Sequence, residues 1–148
     1  MLEKVDLKKM MMKEEYKQVT EGLKARLSVL QQSIKANKLP VIILFEGWGA
    51  SGKGSRIADM ILNLDPRYFK VTSFIEADSA ERRKPLLWRY WEKIPAQGQI
   101  AVFDRSWYQD ISVAKLEQDV DDGEIARRTE SIKTFERQLA DDGCLIIK

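Results

Sequence analysis

The chain has 148 residues and contains no histidine. That absence removes Ser-His-Asp and Cys-His triads, histidine general bases and phosphohistidine intermediates. Zinc sites built on histidine go with them. Whatever chemistry the chain performs must rest on carboxylates, lysines, arginines, backbone amides and a hard metal ion. Cysteine is scarce too: Cys144 stands alone. It excludes an internal disulfide framework and fits a reducing cytoplasm, which is the expected location. No apolar run approaches the roughly 20 residues that span a bilayer. The stretch from Met1 to Thr20 is charged throughout and lacks the apolar segment of a signal peptide. The net charge of +2 calls for neither nucleic acid nor a membrane.

What remains is an ordinary globular composition, 44% hydrophobic and 32% charged, in a length that suits one domain with a real core. The first forty residues read as a helix. Tyr16, Val19, Leu23, Leu27, Leu30 and Ile34 recur at spacings of three or four and make one apolar stripe. Two readings of its basic outer face stand, a solvated surface or a docking and dimerisation surface. Pro40 ends this segment, so residues 1–39 are expected as a helical extension and 40–148 as the core.

The core opens on Val41-Ile42-Ile43-Leu44-Phe45, an unbroken apolar run that suits a strand buried on both faces of a parallel sheet. Glycines follow at once, and then a periodic segment through Ile57, Met60, Ile61 and Leu64 predicts a second helix, closed by Asp65-Pro66-Arg67. Lys70 to Ile75 reads as a strand. Ala80 to Lys93 reads as one helix with Leu86, Leu87, Tyr90 and Trp91 facing inward. Ile100 to Phe103 is a strand ending on Asp104, Trp107 to Leu116 and Glu124 to Ala140 are helices, and Cys144 to Ile147 is a fourth strand. Strands alternating with helices in this way predict a three-layer α/β domain on a parallel sheet. Because the chain stops straight after an apolar strand, it reads as a domain cut before its last elements.

The chemistry concentrates in two places. Gly47-Trp48-Gly49-Ala50-Ser51-Gly52-Lys53-Gly54 follows the first strand and opens the second helix, with the G-x-x-x-x-G-K spacing of a Walker A loop. Glycines let successive N–H groups converge on phosphate oxygens, and the helix N-terminus adds a favourable dipole. Lys53 supplies a mobile point charge. Gly54 stands where Ser or Thr usually offers magnesium a hydroxyl. Ser55, Ser51 or water remain to fill that place. The second signal is Asp104, 51 residues after Lys53 at the carboxyl end of an apolar strand. A hard anionic oxygen there suits Mg²⁺ as a Walker B carboxylate does; capping the next helix is the other reading. Arg105 offers a clamp on a phosphoryl group in flight, or a surface ion pair. Arg82, Arg83, Lys84, Arg89 and Lys93 form a basic stretch, read either as a solvated face or as a grip on a polyanion or acceptor nucleotide. Arg89 is the phosphate-binding candidate among them.

Phe45-Glu46-Gly47-Trp48 with Gly52-Lys53-Gly54, then Leu87-Trp88-Arg89-Tyr90-Trp91, then Phe103-Asp104-Arg105-Ser106-Trp107-Tyr108, resemble the polyphosphate kinase 2 family. The tryptophan after the first glycine is similar to the polyphosphate:AMP phosphotransferase branch. The resemblance implies a P-loop nucleoside-kinase-like fold and phosphoryl transfer between inorganic polyphosphate and a nucleotide, AMP first and ADP second, with Mg²⁺ as cofactor. It implies phosphate contacts for the loop and Lys53, metal or catalytic work for Asp104, and phosphate binding for Arg105. Many members carry aspartate where this chain has Gly49, and continue into an arginine-rich lid. A weaker copy that binds phosphate but turns over poorly is therefore expected. The rival readings are an ATP-dependent kinase of the thymidylate-kinase type and a non-catalytic copy of the domain.

Overall fold

A computed structural model describes residues 6, 10–117 and 120–148 of the chain. The expected N-terminal helix runs over Lys13–Ala36 as α1; positions 1–5 and 7–9 lie outside the described residues. Then follow β1 (Val41–Phe45), α2 (Lys53–Ile61), β2 (Phe69–Ser73), a short α3 (Trp88–Trp91), β3 (Ile100–Asp104), α4 (Trp107–Glu117), α5 (Asp122–Asp141) and β4 (Leu145–Ile147). The four strands make one parallel sheet in the order β2-β3-β1-β4.

Strand alternation sorts the core into two layers. Val41, Ile100 and Val102 face α2, where Ile57 and Leu64 complete a buried cluster. Ile42, Leu44, Ala101 and Phe103 face the opposite way, into a larger cluster closed by Tyr90, Trp107, Ile132, Phe135 and Leu139. The fold is thus the three-layer α/β arrangement that the alternation predicts. Trp107 is fully buried and locks this second layer, meeting Tyr90, Phe103 and Phe135 edge-on at 5.6, 6.1 and 5.0 Å between ring centroids. Such contacts add to the area each ring buries.

Three expectations need correction. The stretch from Ala80 to Lys93 is not one helix: a single 3₁₀ turn over Glu81–Arg83 stops before Pro85, and the chain restarts as α3. Proline disfavours helical backbone in the residue before it, here Lys84. Trp91, expected inward, is 45% exposed, although one edge packs on Phe135 with centroids 4.7 Å apart. The apolar stripe of α1 is also mostly outside. Tyr16, Val19, Leu23 and Leu30 are exposed, and the helix leans on the core through Leu27 and Ile34. Its one buried residue is Gln31. That side chain donates to the carbonyl of Asp65 at 3.0 Å and accepts from the Asp65 N–H at 2.7 Å, pinning α1 to the turn after α2.

The sheet order fixes where a ligand belongs. From β1 the chain leaves toward β2 on one side; from β3 it leaves through α4 and α5 toward β4 on the other. The crevice at the carboxyl ends of β1 and β3 is therefore the topological switch point, where open α/β sheets bind ligands.

Candidate functional site

The glycine-rich loop leaves β1 at this crevice. Gly47 adopts φ +152°, and a Cβ there would stand 3.0 Å from Ser51 Oγ, so only glycine fits without displacement. Gly52 takes the left-handed conformation, φ +85°, and serves as N-cap of α2. Ala50 is left-handed as well, at φ +61°, which costs a residue with a Cβ about 1–2 kcal/mol. Gly49, Gly54 and Ser55 complete the loop and first turn. Lys53 heads α2 and folds back over the loop, donating from Nζ to the Gly47 carbonyl at 2.7 Å and the Trp48 carbonyl at 2.9 Å, with Ser51 Oγ at 3.5 Å. The loop thus carries a cation above its own backbone, at the start of a nine-residue helix whose N-terminal amides favour anions.

One strand over, Phe45 is the register partner of Asp104. Arg105 adopts φ +67°, yet its N–H still donates to the Phe45 carbonyl at 2.9 Å. A left-handed arginine at a strand end is strain that the sheet enforces, and strain of this kind clusters at functional sites. Asp104 Oδ1 is buried with no hydrogen-bond partner. A buried carboxylate oxygen left in this state is costly, and it is the donor type that a hard cation takes. Among the described residues no group of three or more His, Cys, Asp or Glu could hold a metal. Asp104 offers one carboxylate of the kind that Mg²⁺ takes together with substrate phosphates. The next residue, fully buried Ser106, donates its hydroxyl to Glu46 Oε1 and ties the end of β1 to the end of β3.

Beside this edge lies a cleft of about 850 Å³ between the Glu76–Pro85 segment, α3, α4 and α5. Arg105, Arg89, Arg82 and Arg128 line it together with Tyr90 and Asp110. Arg89 is held by the Ile75 carbonyl at 2.9 Å and stands 3.6 Å from Glu81, while its Nε is buried without a partner. So the structure brings Arg89 and Arg105 to one cleft and sets the loop with Lys53 at the neighbouring strand end. Lys84 packs over Trp88, 5.2 Å from the ring centroid; this part of the basic stretch and Lys93 line a second cleft of about 520 Å³ beyond Arg89.

Sequence reasoning missed Asp110 and its clamp. Tyr90, which is 1% exposed, donates its hydroxyl to Asp110 Oδ2 at 2.9 Å. Burial pushes the Asp110 carboxyl above the ordinary range, outweighing the Tyr90 hydrogen bond and the charges of Arg89 and Arg128, which pull it down. Burial and the neighbouring Asp110 charge likewise raise the Tyr90 phenol. Glu136 behaves oppositely. Burial works upward, but bonds from Lys148, Tyr108 and Trp107 together hold its carboxyl below the usual range and brace α4 against α5 and the end of β4.

The polyphosphate kinase 2 family matches residues 10–148. The chain belongs to this family. It is 33% identical to the polyphosphate:AMP phosphotransferase of Pseudomonas syringae over 148 residues, all of this chain and 30% of that protein. It is 31% identical to the AMP/ADP-polyphosphate phosphotransferase of Meiothermus ruber over 127 residues, 85% of this chain and 48% of that protein. The crystal structure of polyphosphate kinase 2 from Arthrobacter aurescens superposes with a TM-score of 0.93 at 28% identity, covering this whole chain and 56% of that one. The chain thus spans about a third to a half of the relatives it matches. Among the described residues no helix is long and apolar enough to cross a membrane.

Proposed function

We propose that this chain carries out phosphoryl transfer between inorganic polyphosphate and a nucleotide, AMP before ADP, with Mg²⁺ and without a covalent intermediate. The observation that carries the reading is the pairing of two phosphate-handling devices at one switch point: the Lys53 loop at the end of β1, and Asp104 with Arg105 at the end of β3. The polyphosphate donor is supported by the names of the relatives, which give no support to the thymidylate-kinase alternative.

Each residue then has one task. The loop amides and Lys53 hold the donor phosphates, and Lys53 exchanges the Gly47 and Trp48 carbonyls for phosphate oxygens. Arg105 and Arg89 hold the acceptor phosphate in the neighbouring cleft. Asp104 would hold Mg²⁺, which supplies neutralisation of phosphate charge when bound. With donor and acceptor aligned across the switch point, the attack needs little further covalent help, because phosphoryl transfer is mainly positioning and electrostatics. The test is nucleotide chromatography after incubation with Mg²⁺, AMP or ADP, and either polyphosphate or ATP, beside a Lys53→Ala control. Product from polyphosphate that is lost in the control supports the reading. Product formed only from ATP refutes the donor assignment.

A further inference from the structure

The cleft beside Arg105 is not uniformly basic: Glu76, Glu81, Asp110 and Glu124 line it as well. Of these only Asp110 makes no salt bridge among the described residues, since Glu76 pairs with Arg82, Glu81 with Arg89, and Glu124 with Arg127 and Arg128. Asp110 sits in the first turn of α4, four residues from the end of the Asp104–Ser106 segment, and lines the same cleft as Arg105 and Arg89. Its orientation is fixed from behind. Tyr90 donates to Oδ2 at 2.9 Å, and the Tyr90 ring is wedged between Phe74 and Trp107 at 4.6 and 5.6 Å between centroids. Oδ1 is left without a hydrogen bond among the described residues. Arg128, the nearest cation on α5, is spent elsewhere: its Nε pairs with Glu124 at 2.9 Å and its Nη1 donates to the Asp110 carbonyl at 3.3 Å.

A carboxylate so placed repels phosphate, so it cannot serve the phosphoryl end of a ligand. As an acceptor-only group it is served by a part of the ligand that donates hydrogen bonds. The arginines claim the phosphate, and a volume of about 850 Å³ accommodates a whole nucleotide. In a nucleotide the donors nearest the phosphate are the sugar hydroxyls. A vicinal diol offers a carboxylate adjacent O–H donors, the way acidic residues in dinucleotide-binding folds read ribose. We propose that Asp110 is a specificity-determining residue that accepts hydrogen bonds from the ribose hydroxyls of the acceptor nucleotide. The inference rests on the reading of this cleft as the acceptor site, and it goes further by making the chain selective for ribonucleotides.

The test is calorimetric titration of AMP, 2′,3′-dideoxy-AMP and IMP into the wild type, Asp110→Asn and Arg105→Ala. Asparagine still accepts from Tyr90, and circular dichroism checks that the variant keeps its fold. The wild type should bind AMP about tenfold or more tightly than the dideoxy analogue, as loss of charge-assisted hydrogen bonds implies. In Asp110→Asn that ratio should collapse to about twofold or less, while Arg105→Ala should weaken both nucleotides alike. An unchanged ratio in Asp110→Asn, with binding lost in Arg105→Ala, overturns the role of Asp110 and leaves the acceptor site standing. Collapse of the AMP-to-IMP ratio instead overturns the ribose assignment in favour of the base amine. Failure of the wild type to bind any of the three overturns the acceptor site itself.

Discussion

Replacing Asp110 by asparagine should make the protein more stable at neutral pH. The charged carboxylate is partly dehydrated, and burial outweighs the help of Tyr90, Arg89 and Arg128, while Glu81 adds repulsion. Its folded-state pKa therefore lies above the unfolded value of about 3.9. Between those two values the native state binds more protons than the unfolded chain. Stability accordingly falls as pH rises through the window and stays at its lower level above it. Asparagine keeps the acceptor for Tyr90, so no hydroxyl is orphaned in the core, and it never ionises. Relief of about 1 kcal/mol is the scale typical of such a repair, which in a chain of this length raises Tm by about 2–4 °C. Thermal melts of both proteins at pH 7 and near pH 4 provide the assay. The gain should be present at pH 7 and shrink as pH falls toward 4, because the wild-type Asp110 takes up a proton more readily in the folded state than in the unfolded chain. A variant less stable than the wild type at pH 7, or a difference independent of pH, refutes the reasoning. Paired with weaker binding of AMP, the gain would mark Asp110 as a residue kept at a cost in stability.

Three further outcomes follow from the same structure. Gln31→Ala removes both bonds to the Asp65 backbone; the carbonyl keeps the Tyr68 N–H at 3.1 Å, but the Asp65 N–H loses its acceptor, and chemical denaturation should show a loss of about 1–2 kcal/mol. Gly49→Asp meets open space and keeps an ordinary φ, so the added carboxylate should raise Mg²⁺-dependent turnover in an initial-rate assay; an unchanged rate would show that the loop needs no second anion. Burial first, and then the Asp142 charge, push the Cys144 thiol up to about 11, so alkylation at pH 8 should wait for unfolding, as a comparison of labelling with and without denaturant would show.

How much of this was legible in the sequence depended on whether the signal was local. The apolar run Val41–Phe45 and the glycines after it announce a strand, a tight loop and a helix within fifteen residues, and the structure has all three. Asp104 was legible for the same reason, as a charge closing an apolar strand. The segment from Ala80 to Lys93 deceived because its apolar spacing suits a helix, while Pro85 forbids a continuous one. On α1 the stripe was real, but tertiary packing uses only its Leu27 and Ile34, with Gln31 beside them, and leaves Tyr16, Val19, Leu23 and Leu30 exposed. Asp110 carried no signal at all. Its importance comes from Tyr90, twenty residues earlier, and only folding brings that hydroxyl and the Arg89 and Arg105 guanidinium groups to one cleft.

The central claim is tested most directly by following the phosphorus. Polyphosphate carrying radiolabelled phosphate should be incubated with Mg²⁺, unlabelled AMP and the chain, with Lys53→Ala and Asp104→Asn run in parallel. Label appearing in ADP with the wild type, and lost in both variants, is the predicted result. Label that stays in polyphosphate while AMP binds normally would contradict the claim, and would make this phosphate loop a holder of phosphate rather than a site that transfers it.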